Sequence, residues 1–127
     1  MMKTFMAGLL VSTLAFGAFE AVAATTEPAA MADTAKGKIW VDTKGMTLYS
    51  FDKDVAGKSN CNDKCAVEWP PLAAAADSKA SGDWTIVTRD DGSLMWAHEG
   101  KPLYTFVDDK KAGDVTGDNV DGFHIVS

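Results

Sequence analysis

Histidine and cysteine are scarce in this chain, with two of each: His98 and His124, Cys61 and Cys65. No His follows Cys65, so covalent haem attachment is not indicated. No Gly-x-Ser-x-Gly turn occurs and no serine is recommended by its neighbours. Nucleophilic hydrolysis, which needs a nucleophile beside a base, is therefore not expected. Positive charge is also short: 12 Lys and Arg against 18 Asp and Glu give a net charge of −6, and the basic residues form no cluster. A domain of this kind is a poor partner for nucleic acid or an anionic membrane. One long apolar run exists, near the start, and it is too short to cross a bilayer comfortably.

That run reads as an export signal. Lys3 supplies a positive charge, residues 5–19 are apolar or small, and Ala21-Val22-Ala23 forms a cleavage site. Residues 1–23 are assigned as a signal peptide, leaving a product that keeps the net charge because Lys3 and Glu20 cancel. No Cys follows the run, so a lipid anchor is not expected. Residues 24–36 are rich in Ala and Thr without an apolar period and read as a flexible leader. Residues 37–127 form the folded domain, long enough for a modest core. Export places Cys61 and Cys65 where a disulfide is the default, worth about 2 kcal/mol for so short a loop.

The domain repeats itself. "LYSFDKD" at 48–54 returns as "LYTFVDD" at 103–109, each after a Trp and a Gly. Trp40 matches Trp96, Gly45 matches Gly100, Tyr49 matches Tyr104, Phe51 matches Phe106 and Asp54 matches Asp109. Each copy reads as a hairpin: Ile39–Asp42 with Met46–Phe51, and Leu94–Ala97 with Leu103–Phe106. Alternation puts Tyr and Phe on one face and Leu on the other, with the preceding Trp expected to join the aromatic face. Two such hairpins can bury their aromatic faces together, and the closing Asp is expected to accept backbone N–H groups of the following turn. "WTIVT" at 84–88 should pair with "LMWA" across an Asp91-Gly92 turn, and "GFHIVS" reads as a last strand. Asn62 or Asp63 is expected to cap one helical turn before Pro70-Pro71, and 72–83 reads as a loop or short helix. The expected fold is all-β: two pseudo-repeated hairpin units, about 37–71 and 84–127, packed in a small sandwich or barrel-like domain, with a short helical turn near the disulfide loop.

These residues resemble a known family, the secreted-repeat proteins described as predicted lipoproteins with a Yx(F/W/Y)xxD motif. The resemblance runs through "GMTLYSFDKDVAGKSNCNDKCAVEWPPL", "WTIVTRDDGSLMWAHEGKPLYTFVDDKKAGDVTGD" and "GFHIV". The family motif falls on Tyr49, Phe51 and Asp54, and again on Tyr104, Phe106 and Asp109. Relatives often carry a lipobox Cys, Gln-Trp-Ala-Tyr in place of Met95-Trp96-Ala97-His98, and Trp in place of Phe123. The resemblance implies a fold and export, and no established activity.

Remaining candidates for chemistry are few. Asp108, Asp109, Asp114, Asp118 and Asp121 lie in a Gly-containing loop with oxygen ligands of the kind Ca²⁺ takes, but the sixth and twelfth positions from Asp114 are Asn119 and Ile125, not the Gly and Glu of an EF-hand. Cys61 and Cys65 as thiolates, with Met46, Met95, His98 or His124, are a candidate soft-metal or redox site. Four Trp in so small a domain suggest core, with Trp69 beside two prolines the one expected to stand exposed as a binding platform. The leading expectation is a non-enzymatic exported module without cofactor, meeting an envelope protein or a small ligand. The alternatives are a metal or redox protein and a Ca²⁺-stabilised module.

Overall fold

Alternation of β-branched and aromatic residues forms the clearest hairpin. In the computed structural model, which describes residues 27–127, β4 (Trp84–Thr88) pairs antiparallel with β5 (Leu94–His98) from Trp84↔His98 to Thr88↔Leu94. Between them Gly92 takes φ +88°, and the Asp91 carboxylate accepts the Ser93 N–H and hydroxyl. The chain then reverses through Glu99 (φ +52°) and Gly100 (φ +84°) into β6 (Lys101–Pro102). Two consecutive positive φ values in a two-residue loop match the twist of a tight hairpin.

The first half builds the same unit with weaker material. β1 (Ala29–Thr34) pairs with β2 (Gly37–Asp42) over six positions, Ala29↔Asp42 to Thr34↔Gly37. Residues 29–34 of the supposed flexible leader are thus a strand, the counterpart of "WTIVT". Its Ala, Met and Asp residues have little β preference of their own; pairing along β2 and burial of Ala29 hold it in place. The signal peptide assigned to 1–23 lies outside the described residues. After β2, the Asp42 carboxylate accepts the N–H groups of Lys44 and Met46, and the return bonds Leu48 N–H to the Trp40 carbonyl at 3.1 Å.

Met46–Phe51 is not one strand against β2. Only β3 (Tyr49–Phe51) is regular, and it pairs with β7 (Phe123–Ile125) at the other end of the chain. The second half mirrors this. The Thr105 N–H donates to the Pro70 carbonyl and the Val107 N–H to the Glu68 carbonyl, so 104–107 pairs with the end of the first half. Trp40 N–H donates to the Val126 carbonyl (2.9 Å) as Trp96 N–H donates to that of Leu72 (2.8 Å). Each half therefore supplies the closing strand of the other. The sheets are β1–β2, β3–β7 and β4–β5–β6, and no closed barrel forms among the described residues.

The one helical piece is α1 (Lys64–Glu68). Neither Asn62 nor Asp63 caps it: Asp63 sits at φ +53° without a capping hydrogen bond, while the Asn62 amide reaches Asp90. Residues 72–83 form no helix; Leu72 and Ala74 instead run beside β5.

Both faces of the motif strands are buried, in two clusters. One contains Tyr49, Cys61, Trp69, Val87, Met95, Ala97, Tyr104, Phe106 and Phe123. The other contains Ala29, Leu48, Trp84, Trp96 and Leu103, with Trp40 partly buried against it. Trp40 and Trp96 therefore side with the leucines and not with the Tyr and Phe rings. Trp40 is the cross-strand neighbour of Leu48, and Trp96 of Leu103, and such neighbours share a face.

Candidate functional site

The family-type motif closes on itself across the two halves. Tyr49 donates its hydroxyl to Asp109 Oδ2 at 2.7 Å, and Tyr104 donates to Asp54 Oδ2 at 2.6 Å. Each Asp does serve the turn after its strand, as expected: Asp54 Oδ1 accepts the Asn60 N–H, and Asp109 Oδ1 accepts the Thr116 N–H and hydroxyl. Its second oxygen reaches the Tyr of the opposite repeat, which sequence spacing alone does not reveal. Burial, reinforced by the carboxylate partner, pushes both phenols above their ordinary range. Burial also raises the Asp54 carboxyl, against the opposing pull of Tyr104, Asn60 and Arg89.

Beside Tyr104 lies a buried arginine, Arg89, drawn from the turn-like "RDDGS" segment, where sequence pattern gives it no distinguishing signal. Arg89 is 5% exposed. Its guanidinium donates to the Cys61 carbonyl at 2.7 Å and to Ser59 Oγ at 2.9 Å. A guanidinium only donates, so Ser59 accepts there and turns its own hydrogen to the Tyr104 oxygen, 2.5 Å away. Tyr104 then donates to Asp54. The protons of this chain point one way, from a buried cation to a half-buried anion.

Trp69 is not an exposed platform. It is 1% exposed and lies in a column of four rings. Phe51 stacks on Phe123 at 4.3 Å, Phe123 on Trp69 at 3.8 Å, and Trp69 on Phe106 at 4.1 Å, with interplanar angles of 20° or less. Tyr49 and Tyr104 meet the column edge-on. Gly117 is required beneath it, because a Cβ there would lie 2.7 Å from a Trp69 ring carbon.

Cys61 and Cys65 are bonded to each other, and no free cysteine exists among the described residues. Met95 is fully buried against Arg89, and Met46 is half-buried at the first turn. His124 is engaged at both ring nitrogens, by Asn119 and by Asp52, each at 2.8 Å. Asp114 accepts the N–H groups of Lys110 and Lys111, which hold its carboxyl below the usual range, and Asp118 accepts the Ile125 N–H. Among the described residues, the grouping of carboxylate and imidazole atoms close enough to share an ion is Asp83, His98 and Glu99. His98 was a candidate from sequence; Asp83 and Glu99 were not.

Two surface openings stand out among the described residues. A cleft of about 410 Å³ runs between the end of β3 and the Glu99-Gly100 hairpin, with Phe51, Asp52, Asp54, Val55, Lys101 and Pro102 among its walls. A second of about 480 Å³ opens at Asn62, Asp63, Ala66, Arg89, Asp90 and Asp91.

The chain matches a family model described as a secreted repeat of unknown function, in two copies, over residues 30–73 and 85–125. The chain belongs to this family. Both copies begin at the second residue of the first strand of a half, β1 or β4, so the repeat unit includes the strand that composition alone assigned to a leader. As a secreted repeat, the protein is an exported one. No helix among the described residues is long and apolar enough to cross a membrane. No curated protein and no solved structure matched the chain.

Proposed function

We propose that this secreted repeat is a non-enzymatic binding module working in the periplasm or just outside the cell, with its ligand held in the cleft between β3 and the Glu99-Gly100 hairpin. One observation carries the reading. Every polar group of the duplicated motif is already satisfied inside the fold, Tyr49 by Asp109 and Tyr104 by Asp54, so the motif is scaffold and recognition falls to the surface. The cleft combines apolar wall from Phe51, Pro102 and the 60% exposed Val55 with the acidic groups Asp52 and Glu99. Such a lining suits a small molecule or short peptide segment carrying an amine beside an apolar group.

The thiolate metal or redox reading finds no support, since the disulfide occupies both sulfurs. The Ca²⁺ reading finds little, since Asp109, Asp114 and Asp118 accept hydrogen bonds from their own loop and its neighbours.

The test is a photoreactive residue at Val55, in protein exported by its native host, against the same residue at exposed Lys79. A discrete adduct from position 55 and none from 79 is expected. Identical patterns from the two positions would sink the cleft as a binding site.

A further inference from the structure

We infer that Asp83, His98 and Glu99 form a binding site for a borderline divalent transition ion, with Zn²⁺ the fitting representative. Glu99 also borders the cleft, so the two sites adjoin, but the inference rests on the placement of these three side chains and not on what the cleft binds. One atom from each of these side chains lies within 4.8 Å of the others. One imidazole nitrogen and two carboxylate oxygens make a donor set that Zn²⁺ accepts, with a remaining position for water.

The register of the β4–β5 hairpin brings the three together. Trp84 stands opposite His98, so Asp83 and Glu99 are the next residues outward, tied by the Glu99 N–H to the Asp83 carbonyl at 2.8 Å. Strict alternation would send Glu99 to the face away from His98. The left-handed backbone at Glu99, φ +52°, breaks that alternation and turns its carboxylate back toward the imidazole. The His98 ring packs against both Trp84, at 4.5 Å, and Trp40, at 4.8 Å, two indoles that also meet each other edge-on at 5.4 Å.

Among the described residues, no side-chain hydrogen bond or ion pair engages any of the three groups, and an imidazole stands beside the two carboxylates. Among the described residues, neither His98 nitrogen has a hydrogen-bond partner, whereas both nitrogens of His124 do. Neither the Asp83 nor the Glu99 carboxylate joins an ion pair there, although Asp33, Asp52, Asp90, Asp114 and Asp118 all do. Two carboxylates side by side repel each other, and a dication between them and an imidazole reverses that term. The site is open to solvent on the carboxylate side and backed by indole on the other, so an ion can enter without unfolding the hairpin.

The test is calorimetric titration of Zn²⁺ into the metal-free, disulfide-intact exported protein. One saturable equivalent is expected. Affinity should fall at least about ten-fold in His98→Ala, Glu99→Gln and Asp83→Asn, and should be unchanged in His124→Ala. Cu²⁺ gives a second readout, quenching the fluorescence of the flanking Trp40 and Trp84 in the wild type and not in Glu99→Gln. Should His98→Ala fail to fold, the two carboxylate variants decide. Absence of saturable Zn²⁺ uptake, or uptake undiminished in both Glu99→Gln and Asp83→Asn, overturns the site.

Discussion

Tyr49 and Tyr104 exchange both of their backbone hydrogen bonds, at 2.8 and 2.9 Å, and sit at the pseudo-twofold centre of the molecule. From that shared centre each hydroxyl reaches the aspartate of the opposite repeat. The motif is thus a pair of reciprocal clasps, and its strength can be measured one hydroxyl at a time.

Tyr49→Phe removes one hydroxyl and leaves Asp109 Oδ2 and the Gly117 N–H without that partner. A cost of about 1–3 kcal/mol is expected, read as a lower urea midpoint at unchanged slope. Tyr104→Phe should cost at least as much, because it also interrupts the Arg89–Ser59–Tyr104–Asp54 chain. A midpoint within error of wild type in both variants would contradict the clasp.

The chain has only two tyrosines, both buried, so their ionisation reports the whole fold. Each phenol has a folded pKa above its ordinary value of 10.0. Between the two values the unfolded chain has lost the proton and the native protein has kept it. The native state binds more protons there, so stability falls as pH rises past about 10. Absorbance at 295 nm should stay flat through pH 10 and then rise together with loss of the near-ultraviolet circular dichroism. A smooth rise centred near pH 10 in folded protein would show that the phenols are accessible.

Gly117→Ala tests the ring column. The new methyl would approach Trp69 and Phe106 at 2.7 and 2.9 Å, and these rings are held in a stack and cannot swing aside. Overpacking of this kind costs about 1–3 kcal/mol. Thermal unfolding of the variant checks it, and an unchanged Tm would mean that the column yields.

Reduction of Cys61–Cys65 should lower stability by about 2 kcal/mol or less. The protein should remain folded, because Cys61 also lies within the main cluster and its carbonyl is held by Arg89. The reagent is a thiol reductant, followed by circular dichroism. Complete unfolding on reduction would show that the clip, and not the core, holds the 59–69 segment.

Much of this was legible in the residues. The duplicated Tyr-x-Phe-x-x-Asp marked a repeat whose rings pack together, and the "WTIVT" and "LMWA" alternation located β4 and β5. Period two, however, assigns a face and not a partner. It could not show that β3 leaves β2 for β7, because that choice is made by a chain segment more than 70 residues away. β1 was hidden because Ala, Met and Asp carry no β signal of their own. Trp69 was misplaced because Pro70-Pro71 suggested a surface turn, whereas those prolines form the strand edge beside Tyr104 and Thr105. The grouping of Asp83, His98 and Glu99 depends on the backbone sign at Glu99, which no composition rule encodes.

The exchange of closing strands has an evolutionary reading. A single half lacks both the strand that finishes its hairpin and the acceptor for its own tyrosine, so it is an incomplete fold. Two identical copies would complete one another reciprocally, as an intertwined homodimer. Joining them through the 75–80 segment replaces a bimolecular encounter with loop closure, whose cost grows only slowly with length. The tether is then dispensable for shape, and a chain nicked within 76–80 is expected to hold together as a non-covalent pair.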